Sequence, residues 1–139
     1  MQEIDAQVRE FAACYTDAWC SRDPNRVASL FAATGSLTVN DGPPAIGRPA
    51  IADVAMSFMT AFPDLRVMMN ELRAREDRLE YHWTLIGTNS GPGGTGRRVR
   101  ISGFELWRLA SDGLIACSEG TFDKAEYQRQ LSSTLPNPG

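Results

Sequence analysis

The spacing of apolar residues changes near Pro63, and this change is the strongest constraint on the fold. Before it, apolar side chains recur at steps of three and four, which is the period of helices with one buried face. After it, apolar and polar residues alternate, which is the period of strands with one buried face. Helices are therefore predicted first, over 3–21, 24–34 and 48–62, and strands second, over 66–75, 79–88, 97–110 and 114–122.

The second predicted helix is short and is followed by a short strand. Asp23 is a residue type that caps helix N-termini, and Pro24 suits the first helical position. Gly35 is expected to end this helix, because glycine disfavours a helical backbone. The alternation over residues 36–40 then predicts a strand that runs into a turn rich in proline.

The order of the segments predicts an α+β fold. Asp123 and Glu126 form a capping box for a last helix, which is expected to end at Leu131. Helices followed by a meander of strands indicate a curved, mostly antiparallel sheet folded around its helices. A chain of 139 residues suits one such domain, predicted over 1–131, with a polar and flexible tail over 132–139.

Composition excludes several classes of function. The net charge of −3 gives no electrostatic reason to expect nucleic acid or an anionic membrane as partner. A single histidine excludes a metal site built on two imidazoles, and three cysteines without Cys-x-x-Cys spacing are expected to be reduced thiols. Because neither a secretory signal nor a membrane-length apolar run is found, we expect a soluble, cytoplasmic protein. We also expect no metal and no organic cofactor.

Glu105 is the main candidate for chemistry, because it lies on the apolar side of a predicted strand. Val99, Ile101 and Trp107 share its face of the strand over 97–110. An unpaired buried carboxylate costs several kcal/mol, so Glu105 needs a partner, a proton or a cavity. Two interpretations stay open: a structural glutamate bound to a helix N-terminus or an arginine, and a pocket acid or base with a raised pKa.

Four other positions are ambiguous. Tyr15 lies on the buried face of the first helix, where it either packs with a hydrogen-bond partner or donates into a cavity. Asn40 either caps the turn that follows it or orients a water molecule. His82 falls on the polar face of its strand, which favours an exposed or interface position over catalysis. In the last strand, Gly120 has no side chain, so the face of the strand around it leaves space that a ligand could fill.

Six short strings carry a family resemblance: Leu30-Phe-Ala, Ile46-Gly-Arg-Pro-Ala-Ile, Phe62-Pro-Asp-Leu, His82-Trp-Thr-Leu-Ile-Gly-Thr, Ser102-Gly-Phe-Glu and Asp112-Gly-Leu-Ile. Over about residues 3–131, their order resembles SnoaL-like (polyketide cyclase-like) proteins of the nuclear transport factor 2-like superfamily. The resemblance implies a cone, in which a curved, largely antiparallel sheet wraps around a long N-terminal helix with two or three short helices beside it. It also implies a deep apolar pocket.

The resemblance implies roles for single residues as well. Tyr15 matches the oxyanion-hole tyrosine of ketosteroid isomerases, and Glu105 matches their second, protonated carboxylic acid. The general base of those isomerases falls near Val39, which cannot remove a proton. The aspartate of SnoaL-type cyclases and of limonene epoxide hydrolase-like enzymes falls at Gly120. Asn40 matches the water-positioning asparagine of those hydrolases.

The pocket is expected to bind an apolar small molecule that carries a carbonyl group. In an enzyme, Glu105 would move a proton next to the carbonyl while Tyr15 stabilises the enolate oxygen, as in a cofactor-free isomerase, cyclase or lyase. The alternatives are a non-catalytic binding or accessory protein and an epoxide hydrolase-like enzyme, whose Arg and Asp fall near Tyr81 and Trp83. The expected ligand-binding residues are Trp19, Asn40, Trp83, Trp107, Ser118 and Phe122.

The polar face of the strand over 97–110 is expected to form the outer surface of the sheet. Arg98, Arg100, Phe104 and Arg108 lie on this face. The family resemblance implies a homodimer through it. Another protein as partner is the alternative for the same surface.

Overall fold

The computed structural model describes residues 4–132, which form four helices and one six-stranded sheet. The helices are α1 (Ala6–Cys20), α2 (Pro24–Ala28), α3 (Arg48–Ala61) and α4 (Lys124–Ser132). The strands are β1 (Phe31–Val39), β2 (Ala45–Ile46), β3 (Arg66–Arg75), β4 (Arg78–Thr88), β5 (Arg98–Leu109) and β6 (Ile115–Phe122). The order across the curved sheet is β2-β1-β6-β5-β4-β3, and only β1 and β6 pair in parallel. This arrangement confirms the predicted α+β class.

α1 forms because its sequence begins with a cap and carries one apolar face. The Asp5 side chain accepts a hydrogen bond from the backbone N–H of Gln7 at 2.8 Å, which satisfies a free amide at the helix start. The apolar face lies against the inner face of the sheet, where Tyr15 packs edge-on against Trp107 with ring centroids 5.0 Å apart. The buried residues of α1 are Ala12, Tyr15, Ala18 and Trp19.

The second helix is shorter than predicted, and the strand after it begins earlier. α2 ends at Ala28, and Phe31 begins β1. Phe31 is fully buried and pairs with Ile115 of β6, so pairing with a distant strand outweighs the local helical spacing. Gly35 lies within β1 and does not end a helix. A Cβ at Gly35 would be 2.8 Å from the Ile115 carbonyl oxygen, and this close approach of two backbones requires glycine.

The four strands predicted in the second half of the chain agree with β3 to β6 to within one residue at each end. Burial alternates along β5, where Val99, Ile101, Glu105 and Trp107 are buried, so the predicted inner face is correct. The two-residue strand β2 has no counterpart in the sequence prediction.

Two further expectations concern the chain as a whole. Within residues 4–132, no helix is both long and apolar enough to cross a membrane. Residues 133–139, which make up most of the predicted tail, lie outside the described part of the chain.

Candidate functional site

Glu105 belongs to a row of residues that crosses the inner face of the sheet. Val39 of β1 pairs with Gly120 of β6. Gly120 in turn pairs with Glu105 of β5, and Glu105 pairs with Tyr81 of β4. Because paired residues point to the same face, these positions adjoin one another. The positions that the family resemblance connects with catalysis, Val39, Gly120 and Glu105, therefore lie side by side.

Three buried donors hold one oxygen of the Glu105 carboxyl group. Oε1 accepts hydrogen bonds from the Ser118 hydroxyl at 2.7 Å, the Tyr15 hydroxyl at 2.9 Å and the Trp107 indole N–H at 3.0 Å. The donors lie on β6, α1 and β5, so three separate elements fix the position of the carboxyl group. None of the three is an arginine or a helix N-terminus, the partners that a purely structural interpretation of Glu105 assumes.

The other oxygen of Glu105, Oε2, accepts no hydrogen bond from residues 4–132. It is not one of the fully buried polar atoms that lack a partner, so it retains accessible surface. Glu105 also lines a partly open cavity. Oε2 is therefore the carboxyl atom that is open to a ligand.

Burial raises the pKa of the Glu105 carboxyl group and of the Tyr15 phenol that donates to it. Desolvation raises the pKa of Glu105, and the hydrogen bonds from Trp107, Ser118 and Tyr15 oppose that rise. Desolvation also raises the pKa of Tyr15 well above its usual value, and the neighbouring Glu105 charge adds to this effect. Tyr15 is thus a neutral phenol whose hydroxyl donates a hydrogen bond to Glu105. It is a poor candidate for a group that transfers a proton to or from a ligand.

The cavity is partly open to the surface and measures about 60 Å³. Its walls are aromatic and aliphatic side chains together with Gly120 and Glu105, and no lysine or arginine of the described chain lines it. A space this small holds only a few atoms, whereas sites for small organic molecules usually measure about 300–1,000 Å³. The aromatic wall residues are Trp19, Phe58, Tyr81, Trp83, Phe122 and Tyr127.

An outer hollow of about 400 Å³ adjoins the cavity. Val39, Phe58, Phe122 and Tyr127 line both spaces and form the wall between them. Tyr127 lies on α4, a helix with no fully buried residue. The two spaces together fall within the size range of sites for small organic molecules.

Two tryptophan N–H groups beside the cavity have no hydrogen-bond partner. Trp19 and Trp83 are 8% and 9% exposed, and Nε1 of each is buried without an acceptor among residues 4–132. The Trp19 N–H lies near the Tyr15 phenol and opposes the rise of its pKa, but it forms no hydrogen bond of good geometry. The Trp83 ring lies against Gly103, where a Cβ would be 2.8 Å from Trp83 Cζ2. Glycine at position 103 therefore makes room for the indole.

Four of the site residues predicted from sequence lie on the cavity wall, together with others that were not predicted. Tyr81 shares an inner strand face with Trp83, so the alternation along β4 carried the signal for it. Phe58 and Tyr127 lie on α3 and α4, and only the packing of these helices over the sheet brings them to the cavity. The predicted residues on the wall are Trp19, Trp83, Glu105 and Phe122.

The other predicted site residues lie outside the cavity wall. Tyr15, Trp107 and Ser118 donate to Glu105, and their direct contact with a ligand stays a prediction. Asn40 lines the outer hollow, and its Oδ1 accepts a hydrogen bond from the backbone N–H of Phe122 at 2.9 Å. This bond ties the turn after β1 to the end of β6.

The single histidine lies on the outer face of the sheet, opposite to Glu105. His82 Nε2 is 2.9 Å from Oε1 of Glu80, and the imidazole stacks on Phe104 with ring centroids 5.3 Å apart. In the part of the chain that the structure describes, no group of three or more His, Cys, Asp and Glu side chains is placed to hold a metal ion.

Solved structures place this arrangement in a known class of folds. A protein with a ketosteroid isomerase-like fold from Catenulispora acidiphila, in complex with trimethylamine, matches with a TM-score of 0.77 and 19% identity over 91% of this chain and 94% of its own. A SnoaL-like polyketide cyclase structure from Jannaschia sp. CCS1 matches with a TM-score of 0.83 and 16% identity over 97% and 100%. The epoxide hydrolase/cyclase-like enzyme SalBIII, of pyran ring formation in the polyether salinomycin, matches with a TM-score of 0.74 and 18% identity over 86% and 93%. At these identities the likeness shows the fold alone.

The chain belongs to the SnoaL-like polyketide cyclase family, which it matches over residues 9–131. This match confirms the resemblance given by the six strings of residues. No curated protein matches the sequence. Because one fold carries many chemistries, the reaction has to be argued from the site itself.

Proposed function

We propose that the protein binds a small, mainly apolar carbonyl compound in the cavity and moves a proton next to the carbonyl group. Glu105 takes and returns this proton, and no metal or organic cofactor takes part. The reaction is that of an isomerase or a cyclase, the class that the family description supports. The observation that carries the proposal is the unequal surroundings of the two Glu105 oxygens, with three donors on Oε1 and none on Oε2.

The three donors decide which oxygen of Glu105 carries a proton. An oxygen that accepts three hydrogen bonds has no lone pair free for a proton, so protonation occurs at Oε2. The ionised carboxyl group then presents a base to the cavity, and the protonated group presents an acid. Burial raises the pKa of Glu105, which makes its ionised form a stronger base than an exposed glutamate.

In the proposed step, Oε2 takes a proton from the carbon next to the carbonyl group, and the C–H electron pair forms an enolate. Return of the proton to a different carbon of the same molecule isomerises it. Attack of the enolate carbon on a second carbonyl group of that molecule closes a ring, and Glu105 returns its proton to the new alkoxide. The hydrogen bond from Tyr15 to Glu105 supports a positioning role for Tyr15, instead of the enolate contact that the resemblance implies.

The test is hydrogen–deuterium exchange at the α-carbon of cyclohexanone in D2O, followed by NMR. We expect the wild-type protein to accelerate the exchange and Glu105→Gln to lower the protein-catalysed rate by about 10²–10⁴-fold, the usual contribution of general acid–base catalysis. Glutamine keeps an oxygen for the three donors, so the variant is expected to fold, which circular dichroism checks.

Glu119→Gln is the matched control, because Glu119 precedes Gly120 on β6 and its side chain is 58% exposed. It removes the same charge outside the cavity and is expected to leave the exchange rate unchanged. Equal rates in folded wild-type and Glu105→Gln protein would contradict the role of Glu105.

A non-catalytic binding protein is the second candidate, and Gly120 favours it. The family's cyclase aspartate falls at this position, where the chain has no side chain, and Val39 beside it cannot remove a proton. Binding of cyclohexanone without accelerated exchange would favour this candidate. An epoxide hydrolase-like reaction is less well supported, because the Asn40 oxygen is already bonded to the Phe122 backbone.

A further inference from the structure

Tyr81 contacts two of the three donors that hold Glu105. Its ring stacks on the Trp107 indole, with ring centroids 4.8 Å apart and an interplanar angle of 13°. The Tyr15 ring meets it edge-on, with ring centroids 5.3 Å apart. Such contacts favour one relative orientation of the rings. The position of the Tyr81 ring therefore bears on the direction in which both donors point.

The hydroxyl group of Tyr81 is bonded to α1. Its oxygen lies 2.5 Å from Oγ1 of Thr16, and Thr16 donates its only hydroxyl proton to the Ala12 carbonyl oxygen at 3.0 Å. Tyr81 is therefore the donor in its bond to Thr16. Because Tyr81 is only 1% exposed, burial raises the pKa of its phenol, which stays protonated. Its ring lines the cavity, but its hydroxyl proton is already used and is not free for a ligand.

From these contacts, and resting on the proposed function, we infer that Tyr81 is a positioning residue for Glu105 and that Thr16 holds Tyr81 in place. The bond to Thr16 fixes the Tyr81 ring. The ring in turn keeps the Tyr15 hydroxyl and the Trp107 N–H directed at Oε1 of the carboxyl group. Oε2 is thereby held at the cavity as the oxygen that carries the proton. Tyr81 itself exchanges no proton with the ligand.

This role predicts a specific effect of breaking the bond between Tyr81 and Thr16. The hydrogen bonds from Trp107 and Tyr15 favour the ionised form of Glu105 and so oppose the rise of its pKa. If the Tyr81 ring is free to move, these two bonds weaken, and we expect the pKa of Glu105 to rise further. A Tyr81 that only packs in the core would affect the free energy of unfolding and leave the pKa of Glu105 unchanged.

Thr16→Val and Tyr81→Phe test the inference, because each removes the bond and nearly keeps the shape of the side chain. The ionisation of Glu105 is followed by NMR of protein labelled with ¹³C at the glutamate carboxyl carbons, and Glu105→Gln identifies its signal. We expect a higher pKa of Glu105 in both variants. The protein-catalysed exchange at the α-carbon of cyclohexanone should be about 3–10-fold slower, the effect of one hydrogen bond, because Oε2 is less well positioned.

Thr16→Ser and Thr84→Val are the controls. Serine keeps the hydroxyl group that accepts from Tyr81, so Thr16→Ser is expected to keep the titration of Glu105 and the exchange rate of the wild type. Thr84 is buried on the outer face of β4 and is hydrogen-bonded there, and Thr84→Val removes its hydroxyl group by the same substitution. It is expected to lower stability without changing the titration of Glu105.

Two results would overturn the inference: an unchanged pKa of Glu105 in folded Thr16→Val or Tyr81→Phe protein, or an equal change in Thr84→Val. Circular dichroism identifies the folded variants. The titration does not depend on catalysis, so it separates this inference from the proposed function. A higher pKa of Glu105 in both variants, with no α-carbon exchange by the wild type, would support the positioning role of Tyr81 and contradict the proposed reaction.

Discussion

The two oxygens of Glu105 show how one residue can be both a structural and a chemical group. Oε1 joins α1, β5 and β6 through hydrogen bonds from Tyr15, Trp107 and Ser118. Oε2 is bonded to none of the described residues and lies at the cavity. The carboxyl group can therefore be held in place and still react, because Oε1 fixes its position and Oε2 is the atom that would react.

The raised pKa of Glu105 has a consequence for stability. A carboxyl group whose pKa is higher in the folded than in the unfolded protein binds more protons when folded, so its favourable contribution is lost as pH rises from its ordinary value of 4.5 through the folded value. Glu105→Gln removes this titration. We expect the free energy of unfolding of the wild type, measured relative to Glu105→Gln by urea denaturation, to decrease between pH 4 and pH 8.

If the free energy of unfolding of the wild type, relative to Glu105→Gln, instead increased with pH, the three hydrogen bonds would outweigh burial. The pKa of Glu105 would then be lowered in the folded protein. Glu119→Gln is again the control, since its exposed side chain contributes little to stability.

At the scale of elements, α4 closes the wall between the cavity and the outer hollow. Tyr127 packs against Phe122 with ring centroids 5.3 Å apart, and Gln130 exchanges hydrogen bonds with the backbone of Arg100 at 2.7 and 2.9 Å. No residue of α4 is fully buried, so few contacts oppose its local opening. α4 is thus the element that we expect to control entry to the cavity.

The cap of α4 tests this role. Asp123 accepts a hydrogen bond from the backbone N–H of Glu126 at 3.0 Å, and Asp123→Ala is expected to destabilise the helix by about 1 kcal/mol. Amide hydrogen exchange over residues 124–132 should then be faster, and cyclohexanone association should be faster as well.

Asp112→Ala is the matched control, because Asp112 makes the same kind of bond to the backbone N–H of Leu114 at 3.0 Å in the turn between β5 and β6. It is expected to leave exchange in α4 unchanged. Faster exchange in α4 with unchanged association kinetics would exclude α4 as the entry route.

At the scale of the whole molecule, the two faces of the sheet differ in chemistry. The inner face carries the cavity and Glu105, whereas the outer face carries hydrogen-bonded polar side chains, such as those around Thr84. Thr84, only 3% exposed, accepts a hydrogen bond from Asn70 at 2.8 Å and lies 2.7 Å from the Ser102 hydroxyl. An outer face with its own satisfied polar network suits contact with another protein surface.

We propose that this outer face joins two copies of the chain. Sedimentation of the wild type is expected to give a mass of twice 15.3 kDa. Phe104→Glu should lower the mass to that of one chain, because Phe104 stacks on His82 at the proposed interface. Met56→Glu is the control, since Met56 is 52% exposed on α3, away from the sheet. A monomeric wild type would contradict the proposal.

Local patterns were sufficient for most of the elements. The alternation in β4 and β5 assigned the inner and outer faces, and with them the burial of Glu105 and the outer position of His82. Pattern and cap residues also located α1, α3 and α4, because each has a periodic sequence and a recognisable start or end. These features depend on neighbours within a few residues, which a sequence displays directly.

Contacts between distant residues required the folded chain. Helical spacing assigned Phe31 to a helix, and only its pairing with Ile115, 84 positions further along the chain, makes it part of a strand. The donors to Glu105 likewise come from three elements, and the spacing of residues in the chain cannot state which oxygen they bind. Periodicity shows which side of an element is buried, whereas the partner across the core depends on how the elements pack. That packing left Glu105 Oε2 at the cavity without a hydrogen bond from the described residues.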